Sequence, residues 1–291
     1  MRGLATANAA ISIVNALPLG VGAAAGIAWP ARASATLAPG TTGSATTVIE
    51  PRRSRNPFVR ATVRASRERF APDLDGRVSL LVRSTIPPAR GLKSSSAVGS
   101  AVALATARAC GSEASPSEVA TVVADVGRST GLSATGAFDD ALAGLVGGWV
   151  VTDNRSDREL RRFRLDPTLR VALWIPPGRH PSSSSVRARF RRNQRLARRA
   201  VDAALDGDWS GAVTANTELV ERAMGYRYGP LHAAVQHAGA VASGVSGLGP
   251  AFAAVTPVER IARVVRALPS AGIRRGVRFA GAPPAPRGGR T

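Results

Sequence analysis

The fold of this 291-residue chain is decided by the stretch Ile86-Pro87-Pro88-Ala89-Arg90-Gly91-Leu92-Lys93-Ser94-Ser95-Ser96-Ala97-Val98-Gly99-Ser100. The alternating segment before it, 77–83, is typical of a strand, and the run of small and aliphatic residues that follows to Cys110 is typical of a helix. At such a junction Gly91 lets the backbone turn close to an anion, while the N–H groups of 92–97 and the helix dipole can face phosphate oxygens. The stretch therefore predicts a phosphate-binding loop.

Two side chains of this loop carry chemistry. Lys93 is the one lysine in a chain whose Lys+Arg total is 39, and it adds a full positive charge to the loop. One of the loop's serines can ligate Mg²⁺ through its hydroxyl. The order Gly-x4-Gly-Lys-Ser/Thr is absent, so this is not the common phosphate loop. The alternative is a serine-rich helix start that binds no ligand.

The composition is that of a globular protein, with 44% hydrophobic residues and a single cysteine. Cys110 has no partner for a disulfide within the chain, which fits a reducing compartment. The three histidines, His180, His232 and His237, have no metal-ligand spacing with Cys110, so no zinc site is predicted.

The formal net charge is +20, which would attract a polyanion. Arginine replaces lysine throughout, however, which indicates a compositional trend rather than a binding face. The densest run falls on a predicted helix, where a solvated face is the default and nucleic-acid binding the alternative; only Phe190 interrupts it, so nucleic acid is not the expected partner. This run comprises Arg187, Arg189, Arg191, Arg192, Arg195, Arg198 and Arg199.

The N-terminal segment has an apolar stretch, 9–28, that follows Arg2 and precedes small residues resembling a cleavage site. A signal peptide is therefore an alternative. Asn15, Pro18 and several glycines interrupt the stretch, and no segment has the roughly 20 uninterrupted apolar residues of a membrane span. We expect a soluble, cytoplasmic protein without membrane contact.

The patterns along the chain predict mixed strands and helices in two halves, 1–165 and 166–280, followed by a flexible tail, 281–291. Near the end, Thr256-Pro257-Val258-Glu259 predicts a capping box and a helix beginning at Pro257. The predicted strands are 6–14, 25–37, 77–83, 146–152 and 170–175. The predicted helices are 94–110, 116–126, 182–205, 210–224 and a last one through Leu268.

The loop resembles the nucleotide-binding motif of the GHMP kinase superfamily, and its Gly-Leu-Lys-Ser-Ser-Ser-Ala form resembles that of the archaeal-type shikimate kinases. Segment 15–26 is similar to the superfamily's first, substrate-side motif. Segment 246–251, Ser-Gly-Leu-Gly-Pro-Ala, is similar to its third, glycine-rich motif. Segment 135–141, Thr-Gly-Ala-Phe-Asp-Asp-Ala, resembles the part that carries the catalytic aspartate. Four matches in order are far more specific than any one of them.

The resemblance implies a two-domain α+β protein, in which an N-terminal ATP-binding domain precedes a ferredoxin-like C-terminal domain and the active site lies between them. ATP and Mg²⁺ are the implied cofactors, with Ser96 a metal ligand. The implied nucleotide-binding residues are Pro87, Pro88, Ala89, Arg90, Gly91, Leu92, Lys93, Ser94, Ser95, Ser96 and Ala97. The implied substrate-side residues are Asn15, Gly20, Gly22, Ser246, Gly247 and Gly249.

The implied catalytic residues are Asp139 and Asp140. Because they are adjacent, only one is expected to face the ligand, and the spacing from Gly136 favours Asp139. The alternative is a structural role for both as the N-cap of a helix through Leu142.

The implied reaction is phosphorylation of shikimate by ATP to shikimate 3-phosphate and ADP, on the route to aromatic amino acids. Homoserine and mevalonate are phosphorylated on the same scaffold and stay open as acceptors. No residue of this chain by itself identifies a ring carboxylate, although an arginine is its expected partner. The oligomeric state stays open.

Overall fold

The structure is a computed structural model that describes residues 1–38, 47–49, 56–177 and 186–281, with the backbone alone at 47–49 and 187. The predicted tail lies outside the described residues except for Gly281. Among the helices of the described residues, none combines the length and apolar character needed to cross a bilayer.

The first half of the chain forms a sheet around one long strand. That strand, β2, has 18 residues and pairs antiparallel with β1 along one edge. Its other edge is shared, because β4 pairs with 31–38 and β5 with 21–25. The apolar N-terminal stretch thus lies in two paired strands. The six strands are β1 (Arg2–Val14), β2 (Val21–Ala38), β3 (Thr47–Ile49), β4 (Arg77–Ser84), β5 (Trp149–Asp153) and β6 (Arg158–Phe163).

Helix α2 lies between this sheet and other helices. It is buried on almost every side, and its residues are mostly alanine, serine and valine. Small residues let its backbone approach the sheet closely: a Cβ added at Gly3 of β1 would lie 2.1 Å from the Ala105 carbonyl oxygen. The helices among the described residues of this half are α1 (Pro57–Phe70), α2 (Ser94–Ala109), α3 (Pro116–Ser129) and α4 (Phe138–Val146).

The second half forms a four-stranded antiparallel sheet in the order β10-β7-β9-β8. Its chain order of strand, helices, two strands, helix and strand is that of a ferredoxin-like fold, as expected. Its strands are β7 (Leu169–Ile175), β8 (Ala242–Val245), β9 (Phe252–Pro257) and β10 (Ile273–Arg278). Its helices are α5 (Val186–Arg191), α6 (Gln194–Leu205), α7 (Trp209–Met224), α8 (Gly229–His237) and α9 (Ile261–Ala267).

The two halves share a core. Val171 and Leu173 of β7 belong to the same buried cluster as the residues of β1 and β2. An isolated bridge also joins Ile27 to Phe279. The change of sheet comes between Phe163 and Leu169, and the exact domain boundary stays a prediction.

Three local predictions are wrong. Strand β5 begins at Trp149 rather than at 146, because Gly147 and Gly148 both adopt positive φ, at 71° and 65°, and separate it from α4. The described part of the predicted helix 182–205 is two helices, with a turn at 192–193; residues 182–185 lie outside the described residues.

The third concerns the predicted capping box. Thr256 is still in β9, and its hydroxyl donates to the Gly239 carbonyl oxygen at 3.0 Å instead of capping a helix. A 3-10 turn at Val258–Arg260 follows, and α9 begins only at Ile261. Helix α1 has no counterpart among the predicted elements.

The basic run lies on the outside of α5 and α6. Phe190 and Ala197 on the opposite side are buried against α7, with Leu219 in the same cluster. We call the exposed residues the arginine surface. It comprises Arg189, Arg191, Arg192, Arg195, Arg198 and Arg199.

Candidate active site

A cavity of about 980 Å³ lies where the first turns of α2 and α4 meet the end of β1 and the loop that precedes β9. All three glycine-containing motifs and the aspartate segment contribute to its lining. From the phosphate loop the lining residues are Ala89, Arg90, Gly91, Lys93, Ser94, Ser95 and Ser96. From the other predicted sets they are Asn15, Asp139, Asp140 and Gly247.

The phosphate loop and the third motif hold each other. The Ser246 hydroxyl donates to the Gly91 carbonyl oxygen at 2.6 Å, and the Ala251 N–H donates to the Arg90 carbonyl oxygen at 3.1 Å. Gly91 has a φ of 86°, and a Cβ there would lie 2.2 Å from the Ser246 carbonyl oxygen. Only glycine satisfies both the backbone conformation and this close approach.

The first motif is joined to the same loop. The Ser12 N–H donates to the Ser246 hydroxyl at 3.1 Å, and the Gly247 N–H donates to the Ser12 hydroxyl at 3.0 Å. The Asn15 amide donates to the Gly247 carbonyl oxygen at 3.2 Å. Both Ser12 and Asn15 are buried, so these hydrogen bonds hold the three motifs in one rigid wall of the cavity.

Lys93 sits at the N-cap of α2 in a left-handed conformation, with a φ of 58°. This backbone conformation is uncommon for a residue other than glycine, asparagine or aspartate. No side chain caps the helix. The N–H groups of its first turn, where Ser94 and Ser96 line the cavity, can therefore donate hydrogen bonds to an anion. The Ala97 N–H is not among them, because it donates to the Lys93 carbonyl oxygen at 3.0 Å.

The Lys93 ammonium lies 3.0 Å from each carboxylate oxygen of Asp140. Both side chains are largely buried, at 14% and 8% exposure. Burial, and next the neighbouring Asp139 carboxylate, raise the pKa of Asp140 to about 7, against the lowering effect of Lys93. The ion pair therefore places a positive charge at the phosphate loop and ties Asp140 to it.

Asp139 has a different set of partners. Its Oδ1 accepts a hydrogen bond from the Asn154 side-chain amide at 2.7 Å. Its Oδ2 faces Gly22 of β2, where an added Cβ would lie 2.5 Å away. The N-cap of α4 is Ala137, with a φ of 57°, so the alternative that the two aspartates cap this helix is wrong.

Several predicted site residues do not line the cavity but support it. Leu92 and Ala97 belong to the core, and Pro87 and Pro88 precede the turn of the loop. The predicted substrate-side residues that also do not line the cavity are Gly20, Gly22, Ser246 and Gly249. Gly249 packs on Tyr226, whose hydroxyl donates to the Leu248 carbonyl oxygen at 2.8 Å.

Sequence reasoning missed Ser12, Asn154 and Asn216. Asn216 of α7 accepts the Asn15 N–H at 2.8 Å, although 201 positions separate them. No local pattern marks any of the three, because each acts on a partner brought close only by folding. Their one signal is that they are polar residues inside apolar segments, which requires buried partners.

Arg128 of α3 also lines the cavity, but its guanidinium is engaged. It bonds Asp125 at 2.6 Å and also pairs with Asp157, and hydrogen bonding to Asp157 raises the pKa of Arg128. Arg90 is the other arginine in the lining, and it donates to the Pro176 carbonyl oxygen at 3.5 Å.

The polar groups of the cavity fit a nucleoside triphosphate with a magnesium ion. An uncapped helix start and an ammonium group suit phosphate, while the Ser96 hydroxyl and the aspartate carboxylates in the same cavity are oxygen ligands that Mg²⁺ accepts together with phosphates. The described residues contain no ready cluster of three or more His, Cys, Asp and Glu for a metal.

The comparison with known proteins agrees with this geometry. The family GHMP kinases N terminal domain matches residues 57–148. The shikimate kinase of Halobacterium salinarum is 35% identical over 91% of this chain and 92% of its own. The chain belongs to the archaeal-type shikimate kinases. The shikimate kinases of Methanosarcina acetivorans and Thermococcus kodakarensis are 32% and 35% identical, over 94% and 87% of this chain and 91% of each of theirs.

Solved structures place this family member in the GHMP kinase fold. The mevalonate kinase of Methanococcus jannaschii superposes with a TM-score of 0.73 over 97% of this chain and 99% of its own, at 11% identity. The homoserine kinase of Cytophaga hutchinsonii gives 0.69 over 92% and 90%, at 16% identity. At these identities the likeness establishes the two-domain α+β fold alone.

Proposed function

We propose that this family member transfers the γ-phosphoryl group of ATP to a hydroxyl of shikimate, giving shikimate 3-phosphate and ADP. The observation that carries the proposal is one cavity containing an uncapped helix start, the Lys93–Asp140 ion pair and a second carboxylate, Asp139, with an oxygen directed away from its partner. Phosphoryl transfer needs this combination, because positioning and charge stabilisation supply most of its catalysis.

The phosphate loop binds the nucleotide. The free N–H groups at the start of α2 donate hydrogen bonds to phosphate oxygens, and the Lys93 ammonium offsets the negative charge that the transferred group carries in the transition state. Gly91 and Gly247 keep side chains out of this space. Mg²⁺, when bound, neutralises further phosphate charge, with Ser96 and a carboxylate of the cavity as its protein ligands.

Asp139 acts on the acceptor. Its Oδ1 is held by Asn154, which leaves Oδ2 to accept the proton of the acceptor hydroxyl. The acceptor oxygen then forms the new bond to phosphorus as the bond from phosphorus to the ADP oxygen breaks. Asp140 is less suited to this role, because both of its oxygens face the Lys93 ammonium at 3.0 Å.

The test is an ADP-release assay with shikimate, homoserine and mevalonate offered separately, and with mass-spectrometric identification of the product. We expect turnover with shikimate alone, and a turnover lowered by roughly 10²-fold or more in the matched variant Asp139→Asn. Preferred turnover of homoserine or mevalonate would reassign the acceptor. No turnover with any hydroxyl acceptor would refute the kinase function.

The arginine surface does not favour a second function. Its residues lie on α5 and α6 with Phe190 buried beneath them, so no aromatic side chain is interleaved for stacking on bases. Placement of the protein in the cytoplasm follows from the same proposal, since ATP and the acceptor are found there.

A further inference from the structure

A buried chain of polar side chains leads from strand β5 to Asp139. Thr152 is at 0% exposure, Asn154 at 3% and Asp139 at 3%. The Thr152 hydroxyl donates to Asn154 Oδ1 at 2.5 Å, and Asn154 Nδ2 donates to Asp139 Oδ1 at 2.7 Å. The three side chains form one continuous relay with no solvent between them.

We propose that Asn154 is a positioning residue for the phosphoryl transfer, which holds the Asp139 carboxylate turned so that Oδ2 meets the acceptor hydroxyl. The inference rests on the proposed function, because it assigns Asp139 the role of base. It adds two buried residues, Asn154 and Thr152, that are not among the lining residues of the cavity.

The orientation of the Asn154 amide follows from its neighbours. Its Oδ1 accepts from the Thr152 hydroxyl and from the Asp139 N–H, the latter at 3.3 Å. The Asp139 N–H can only donate, so the atom that it meets must be the amide oxygen and not the nitrogen. The amide nitrogen then points at the Asp139 carboxylate, where it can only donate. The Thr152 hydroxyl, which can donate or accept, donates to the same oxygen and so adds a second hydrogen bond to the orientation that Asp139 needs.

The backbone of Asn154 is held as firmly as its side chain. Its N–H donates to the Gly20 carbonyl oxygen at 2.8 Å, and its carbonyl oxygen accepts from Arg128 at 3.3 Å. These bonds do not depend on the side chain, so they persist in Asn154 variants. On the other side of Asp139, Gly22 of β2 pairs in register with Thr152 of β5. The carboxylate is therefore flanked by the amide and by the β2 backbone, while Asp139 still lines the cavity.

A hydrogen bond donated to a carboxylate favours its charged form, and such bonds contribute enough to change a rate roughly tenfold to hundredfold. Asn154→Leu keeps the branched shape, with a larger volume, and removes both the amide donor and the amide acceptor. We expect kcat to fall at least tenfold with the KM for ATP unchanged.

Thr152 supplies the matched pair. Thr152→Val removes the hydroxyl at constant shape, so we expect a smaller loss of kcat with the KM for ATP again unchanged. Thr152→Ser keeps the hydroxyl and is expected to behave like the unsubstituted enzyme. Equal behaviour of the valine and serine variants, or an Asn154→Leu enzyme with an unchanged kcat, would overturn the proposal.

A measurement on the free protein separates this proposal from the proposed function. The Asn154 side-chain amide is followed by NMR, with its signals assigned by their absence in Asn154→Leu. We expect these signals to move in Asp139→Ala and in Thr152→Val, and to keep their positions in Thr152→Ser. Unchanged signals in Asp139→Ala refute the role of Asn154, whereas absent turnover with shikimate in the unsubstituted protein refutes only the function.

Discussion

Substitution of Gly22 by alanine tests whether the position of the Asp139 carboxylate controls the reaction. Gly22 does not have a positive φ, so alanine introduces no backbone strain there. Its Cβ would lie 2.5 Å from Asp139 Oδ2 and 2.9 Å from the carboxyl carbon. Carbon and oxygen in close contact stand about 3.3 Å apart, so the carboxylate must move by about 0.8 Å.

That movement has a predictable cost for the reaction. A displacement of about 1 Å at a reacting group can lower a rate roughly 10²-fold. We therefore expect Gly22→Ala to lower kcat by about two orders of magnitude, with the KM for ATP nearly unchanged because the phosphate loop is untouched. The assay is steady-state ADP release at varied ATP and acceptor, together with a thermal unfolding scan.

The control is a glycine with a similar clash away from the cavity. At Gly3 an added Cβ would lie 2.1 Å from the Ala105 carbonyl oxygen, so Gly3→Ala is expected to destabilise the fold while each folded molecule keeps its kcat. A Gly22→Ala enzyme with normal kcat would show that the Asp139 carboxylate is not the positioned base. Equal losses of kcat in the two variants would show that the effect is one of stability.

Four further outcomes are expected. Asp139→Asn should lower kcat by roughly 10²-fold or more with little change in ATP affinity, measured by calorimetry, and Asp140→Asn should lower it less; the reverse ranking would make Asp140 the base. Lys93→Arg should lose activity nearly as fully as Lys93→Met, with an unchanged circular dichroism spectrum. A forked guanidinium does not fit the space beside Gly247 that the ammonium occupies. A fully active arginine variant would show that Lys93 is not part of the phosphate site. Because the pKa of Asp140 is raised to about 7, the unfolded chain loses this proton at a lower pH than the folded protein does. The free energy of unfolding of the unsubstituted protein should therefore fall relative to that of Asp140→Asn as pH rises from about 4 to about 7, and the difference should stay level above that. Urea titrations at each pH measure this difference, and a difference that does not change with pH would contradict the prediction. Neutralising three members of the arginine surface should leave kcat/KM within a few-fold at high salt, where a persistent loss would reveal a specific contact. The triple variant replaces Arg191, Arg192 and Arg195 by Gln.

Much of the site could be predicted from local order. The phosphate loop was recognisable because a strand, a glycine turn and a helix of small residues are adjacent in the chain, and each follows from short-range preferences. The pair Asp139 and Asp140 was recognisable in the same way. Which of the two pairs with Lys93 could not be predicted, because 47 positions separate Asp140 from Lys93.

Predictions from local patterns were wrong where tertiary contacts engage the same residues in other hydrogen bonds. Thr256 has the side chain and spacing of a capping residue, yet its N–H and carbonyl belong to β9 and its hydroxyl to Gly239. The ladder of a central strand satisfies more backbone groups than a single cap can, so the strand continues and the helix starts later.

The sequence by itself determined the order of elements, the phosphate loop and the superfamily to which these motifs belong, because these depend on residues close together along the chain. Only the tertiary structure decided the partners: Lys93 with Asp140, Asn154 with Asp139, and Ser12 with Ser246, which lies 234 positions away. A side chain's partner depends on strand register and on how helices pack on the sheet. Those are properties of the whole fold, since shifting β2 against β5 by one residue would turn Gly22 away from Asp139 and replace it with a side chain.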